Sequence, residues 1–215
     1  MNMTTTSSTP TTTSTTSSTP TTTSSTARTP TTTSGTAGTS DRFDHRERIA
    51  AALGRLKTAL AGKPQIGHST SRSVVTLGNG VRCTSSERSV TLDFDLGSAL
   101  GGDRSAATPG MHLRAALGAC LAMGYQLRAA ERDIALTAVR VTVEEHSELS
   151  GLLLTDSDVA PGPVALRYHV EIDSPSDPGD IELLIDAADR HSPVLDALNR
   201  PIATARTLTI TEGAR

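Results

Sequence analysis

Ala107-Thr108-Pro109-Gly110-Met111-His112-Leu113-Arg114-Ala115-Ala116-Leu117-Gly118-Ala119-Cys120-Leu121-Ala122 is the stretch from which the fold is read. Pro109 suits a first helical position, where its missing N–H is not needed, and Thr108 before it is a suitable cap. Helical spacing then runs to about Glu131, with Leu113, Leu117, Cys120, Leu121, Gly124 and Leu127 in one stripe. Ala115, Ala116, Ala119 and Ala122 widen that stripe, and no charge falls between Arg114 and Arg128. Small residues let other backbones come close, so the pattern predicts a central helix, with Arg128, Glu131, Arg132 and Asp133 at its wet end. Cys120 in mid-helix reads in two ways, as a buried small hydrophobe or as a reactive thiol.

Working towards the N-terminus, Leu96–Thr108 is a loop containing Gly97, Gly101 and Gly102. Gly101-Gly102-Asp103 lacks the Lys and Ser/Thr of a phosphate loop, so loop closure explains it better. Three strands are expected ahead of the loop, at 73–77, 81–85 and 89–95, the first two joined by the turn signal Gly78-Asn79-Gly80. Alternation puts Val81 and Cys83 on one face and Arg82 on the other. Ile49, Leu53, Leu56 and Leu60 mark a leading helix, capped by Ser40 or Asp41 and stopped by Gly62-Lys63-Pro64. Its narrow apolar face predicts packing on the outside of the domain or on a second subunit.

Towards the C-terminus, Val139, Val141 and Val143 alternate as a fourth strand, and Val164, Leu166, Tyr168, Val170 and Ile172 as a fifth, with a loop over 152–163. Asp177-Pro178-Gly179-Asp180 opens a helix, His191-Ser192-Pro193 interrupts it, and Val194–Leu198 continues as a short one. Leu208 and Ile210 mark a last strand. The order is an α+β pattern with antiparallel pairing.

Composition bounds the rest. Residues 1–40 hold 29 Ser or Thr, one charge (Arg28) and no Leu, Ile or Val, and Thr-Pro followed by Thr-Thr-Thr-Ser recurs every ten residues. Such a segment cannot offset an ordering cost of roughly 1–2 kcal/mol per residue, so it reads as a disordered Thr/Ser/Pro-rich tail. It has no apolar h-region and is poor in Arg, so neither a secretory signal nor a transit peptide is expected. The chain carries −3 overall, and −4 once Arg28 is set aside. That balance argues against nucleic acid as a partner. No run of 18 apolar residues suggests a membrane span. The two cysteines, Cys83 and Cys120, and the six histidines have no metal-ligand spacing, so no metal and no cofactor are expected. The expected setting is cytoplasmic and reducing. The domain plan is a tail (1–40), an amphipathic helix and linker (41–65) and a folded domain (66–215).

The Gly-rich approach Leu96-Gly97-Ser98-Ala99-Leu100-Gly101-Gly102-Asp103, the Pro at the helix start and the Cys three turns in resemble the OsmC/Ohr family of thiol-dependent hydroperoxide reductases. The resemblance covers roughly residues 66–212. It implies sheets wrapped around two central helices, an intertwined homodimer with sites at the subunit interface, and Cys120 as the peroxide-reducing nucleophile. It also implies an Arg pairing with the thiolate, a Glu just after the helix-start Pro, and a resolving Cys in a Cys-Pro pair. Here the Glu position falls at Gly110 or Met111, and the Cys-Pro position at Ser192-Pro193. Arg82 is the candidate thiolate partner, with Arg72 and Arg88 as alternatives.

The other candidates have plainer readings beside the functional one. Cys83 is a core-facing strand residue or a substitute resolving thiol. Ser192 is the N-cap of the short helix, and with His191 a candidate lining of the site. Asp189, His191 and Ser192 are too close in sequence for hydrolase triad geometry. His112 reads as solvated. The leading expectation is one-Cys reduction of organic hydroperoxides through Cys120, regenerated by an external thiol reductant. The alternative is a non-catalytic protein of the same fold that binds a lipid-like or other apolar small molecule.

Overall fold

A computed structural model of the protein describes residues 39–211, with side chains from residue 45. The Thr/Ser/Pro-rich tail up to residue 38, and the disorder expected of it, lie outside the described residues.

The first element is α1 (Thr39–Gly62), which already includes Ser40 and Asp41, so neither caps it. A 3-10 turn at Pro64–Gly67 ends it, as Gly62-Lys63-Pro64 predicts. Three antiparallel strands follow: β1 (Val74–Leu77), β2 (Cys83–Glu87) and β3 (Val90–Phe94). The Gly78-Asn79-Gly80 turn extends to Arg82, whose N–H donates to Asn79 O, and β2 therefore starts at Cys83. Register places Val75, Ser85 and Leu92 on the same face as Leu77, Cys83 and Phe94. On that face Val75, Leu77 and Leu92 are 59%, 65% and 45% exposed.

The loop after β3 is built on Asp95. This buried carboxylate accepts from the N–H groups of Leu96 (2.8 Å), Asp103 (3.2 Å) and Ser105 (2.8 Å), and from the Ser105 hydroxyl (2.8 Å). Gly102 is required where the loop closes, since a Cβ there would come within 2.1 Å of Leu96 O. The loop delivers the chain to α2 (Pro109–Glu131), with Thr108 Oγ1 accepting from Met111 N at 3.2 Å as the N-cap. His112 is not free in solvent. Its ring stacks 4.3 Å from that of Phe94, and its Nε2 lies 3.3 Å from Asp93 O, tying α2 to β3.

α2 is the central helix. Its Leu117, Leu121, Tyr125 and Ala129 form the core with Leu184 and Ala188 of α4 (Pro178–Asp189). Fully burying each such leucine contributes roughly 1.5–3 kcal/mol. The paired strands β4 (Ala138–His146) and β5 (Ala165–Asp173) lie against it through Val139, Val141, Val143, Tyr168 and Val170. The helix's small residues let these elements approach. A Cβ at Gly118 would meet Val143 Cγ2 at 3.4 Å, and one at Gly124 would meet Ala188 Cβ at 3.8 Å. A four-residue α3 (Leu149–Leu152) opens the β4–β5 connection, and α5 (Pro193–Asn199) follows α4.

The strand expected around Leu208 and Ile210 does not form. Residues 201–211 carry no regular structure, and these two side chains are 66% and 83% exposed. A strand needs a neighbour to satisfy its backbone groups, and none pairs with this segment among the described residues. No helix among the described residues is long and apolar enough to cross a membrane.

Candidate functional site

The structure brings together two positions 72 residues apart. Cys120 Sγ, half-buried midway along α2, lies 3.3 Å from Ser192 Oγ. Ser192 is buried and caps α5. Its Oγ accepts from Leu195 N at 3.4 Å and its carbonyl accepts from Asp196 N at 2.9 Å. Pro193 at the first helical position follows the rule that also starts α2.

The other candidates make contacts of their own. Cys83 is half-buried on β2, opposite Leu77 and Phe94, and both thiols are free. Arg82 reaches across the sheet to Asp93, 3.8 Å away. Arg72 is exposed ahead of β1, and Arg88 turns β2 into β3 with φ of 52°. The His191 ring turns back along α4, its Nδ1 2.7 Å from Ala187 O, and is exposed.

Two groups not anticipated from the sequence involve the helix that carries Cys120. The first is an ion pair between α2 and β4, in which Arg114 Nη1 lies 2.8 Å from Glu145 Oε2, with the Glu145 side chain only 12% exposed. A Cβ at Gly110 would stand 3.7 and 3.8 Å from the Glu145 carboxylate oxygens. Of the two helix-start positions to which the resemblance assigns a carboxylate, Gly110 and Met111, the first thus has a carboxylate from β4 beside it. The second is Asp189, at the end of α4. It accepts from Tyr125 Oη (2.9 Å) and Tyr168 Oη (2.8 Å), one phenol on each carboxylate oxygen. Burial first, and then the bond to Asp189, pushes the Tyr168 phenol up to about 12 and raises Tyr125 as well. Neither group has a local sequence signal, because the partners lie 31, 64 and 21 residues apart.

Leu117 and Leu195, each three residues along the chain from Cys120 and Ser192, line a cavity of about 450 Å³ that also takes in Leu113, Leu166, Tyr168 and Leu198 but neither Cys120 nor Ser192. Among the described residues no group of three or more His, Cys, Asp or Glu could hold a metal ion.

A family model described as OsmC-like protein matches residues 101–205. Among solved structures, an OsmC-like protein from Mycoplasma pneumoniae is 19% identical with a TM-score of 0.52, covering 61% of this chain and 88% of that one. An organic hydroperoxide resistance protein from Legionella pneumophila is 20% identical with a TM-score of 0.47, covering 60% of this chain and 89% of its own. One from Elizabethkingia anophelis is 18% identical with a TM-score of 0.46, covering 60% and 88%. No curated protein matches. At these identities the likeness is one of fold, and the Mycoplasma structure carries it.

Proposed function

Because residues 101–205 form an OsmC-like domain, we propose that this chain reduces organic hydroperoxides through Cys120. The observation that supports this most is the 3.3 Å approach of Ser192 Oγ to Cys120 Sγ, at the two positions the resemblance assigns to the nucleophile and its resolving partner. The names of the Legionella and Elizabethkingia proteins, both organic hydroperoxide resistance proteins, point the same way.

In this reading the Cys120 thiolate attacks one peroxide oxygen. An S–O bond forms, the O–O bond breaks, and the departing alkoxide takes a proton to become the alcohol. Sulfur is oxidised to the sulfenic acid. Ser192 cannot make a disulfide, so an external thiol condenses with the sulfenic acid, releasing water. A second thiol then reduces the mixed disulfide. The Ser192 hydroxyl donates to the thiolate, and the 450 Å³ cavity takes the apolar part of the hydroperoxide. Two copies form the working unit in a reducing compartment, with the exposed sheet face at Val75, Leu77 and Leu92 covered by the partner. The domain runs from residue 66 to 215, and α1 is an addition to it.

Thiol-dependent consumption of cumene hydroperoxide beside hydrogen peroxide tests the proposal. Wild type should prefer the organic substrate, Cys120→Ser should be inactive, and Cys83→Ser should keep its rate. Loss of activity in both variants would make Cys83 a resolving thiol. Full activity in Cys120→Ser would refute the proposal. The apolar cavity also favours a second reading, a binding protein that has shed the chemistry. An unreactive wild type that co-purifies with an apolar ligand would select it.

A further inference from the structure

The chain has two tyrosines and no tryptophan, and both phenols are spent on the carboxylate of Asp189. Asp189 is the last residue of α4, where the helix dipole disfavours a negative charge. A carboxylate held there by two phenols from other elements calls for an explanation beyond helix stability. Tyr125 reaches it from α2, five residues after Cys120, and Tyr168 reaches it from β5. Asp189 is also the start of the α4–α5 elbow, since its carbonyl accepts from Ser192 N at 3.2 Å. Clamping its side chain from two sides therefore fixes where Ser192 Oγ stands. We infer that Asp189, held by Tyr125 and Tyr168, is a positioning residue that sets the Ser192 hydroxyl against the Cys120 sulfur. The inference rests on the reading of Cys120 as a reactive thiol partnered by Ser192. The titratable and charged groups around the elbow are Asp186, Asp189, Arg190, His191 and Asp196 on the two helices and their junction, with Arg200 paired to Asp196 and with Tyr125 and Tyr168 facing Asp189.

The test is the rate of Cys120 alkylation by iodoacetamide against pH, in a full-length Cys83→Ser background, so it does not depend on peroxide turnover. Losing one hydrogen bond to the sulfur should slow Ser192→Ala by about three- to tenfold near neutral pH and move its profile to higher pH. Asp189→Asn should do the same, and Tyr168→Phe, which keeps the ring, should do so by a smaller factor. In the Ser192→Ala background neither change should slow the reaction further, because both act through the hydroxyl. Unaltered profiles in Asp189→Asn and Tyr168→Phe would overturn the inference, as would an equal, independent slowing on top of Ser192→Ala. Failure of peroxide turnover with this coupling intact would count against the proposed function alone. Circular dichroism of Tyr168→Phe checks that the fold is retained.

Discussion

Glu145 stands over Gly110 and binds Arg114, so a carboxylate from β4 occupies the space beside the start of α2 that a side chain at 110 would otherwise fill. The pair is mostly shielded, with the Arg114 and Glu145 side chains 33% and 12% exposed. Glu145→Gln leaves the half-buried guanidinium without a counter-charge and should destabilise the protein by about 1–2 kcal/mol, less than for a fully buried pair. Replacing both by apolar residues, Arg114→Met with Glu145→Leu, should recover most of that loss. Urea denaturation midpoints of the three variants check it.

Ser192→Cys places a second sulfur where Oγ now lies 3.3 Å from Cys120 Sγ. One equivalent of cumene hydroperoxide should then yield an intramolecular disulfide, seen by mass spectrometry as loss of two hydrogens and of two of the three free thiols, with Cys83 still free. A stable sulfenic acid with no disulfide would show that the two positions do not share a reactive site.

Asp95 carries a pH dependence of definite sign. The Ser105 backbone and side-chain bonds, the largest causes, with those from Leu96 and Asp103, hold its carboxyl down from 3.8 to about 2. A depressed carboxylate stabilises the folded state above its unfolded pKa, and that stability is lost as pH falls through the folded value. Wild type should therefore lose stability between about pH 4 and 2 in a step that Asp95→Asn lacks. Thermal melts across that window show the difference.

Glycine substitutions should split by location. Gly102→Ala drives a Cβ against Leu96 O at 2.1 Å and should cost about 3 kcal/mol. Gly54→Ala in α1 meets nothing within 4 Å and should add about 0.5–1 kcal/mol through helix propensity. Melting temperatures moving in opposite directions would bear this out.

The proposed pairing of two copies has its own check. Val75→Asp with Leu92→Asp puts charge on the apolar sheet face and should shift sedimentation from dimer to monomer at micromolar concentration. A variant that stays dimeric would place the interface elsewhere.

The parts of the fold legible in the sequence are those written locally. Thr108-Pro109 and Ser192-Pro193 each announce a cap and a first helical residue, and α2 and α5 start where these predict. Alternation at Val139, Val141 and Val143 likewise predicts β4. The same local rule fails at Leu208 and Ile210, because alternation describes a face and does not supply a neighbouring strand. His112, read as solvated, instead packs on Phe94, a contact set by how the Asp95 loop folds back. The site divides along the same line. The motif points to Cys120 and Ser192, whose side chains stand 3.3 Å apart, whereas the Tyr125–Asp189–Tyr168 cluster and the Arg114–Glu145 pair arise only when distant elements meet.

The concentration of both tyrosines on Asp189 gives the protein a built-in optical reporter. With no tryptophan in the chain, its longest-wavelength emission comes from these two phenols alone. A phenol bound to a carboxylate passes its proton across in the excited state and emits weakly, so the native protein should be dim at the tyrosine band. Unfolding, which parts both phenols from Asp189, should make the chain brighten without an added label.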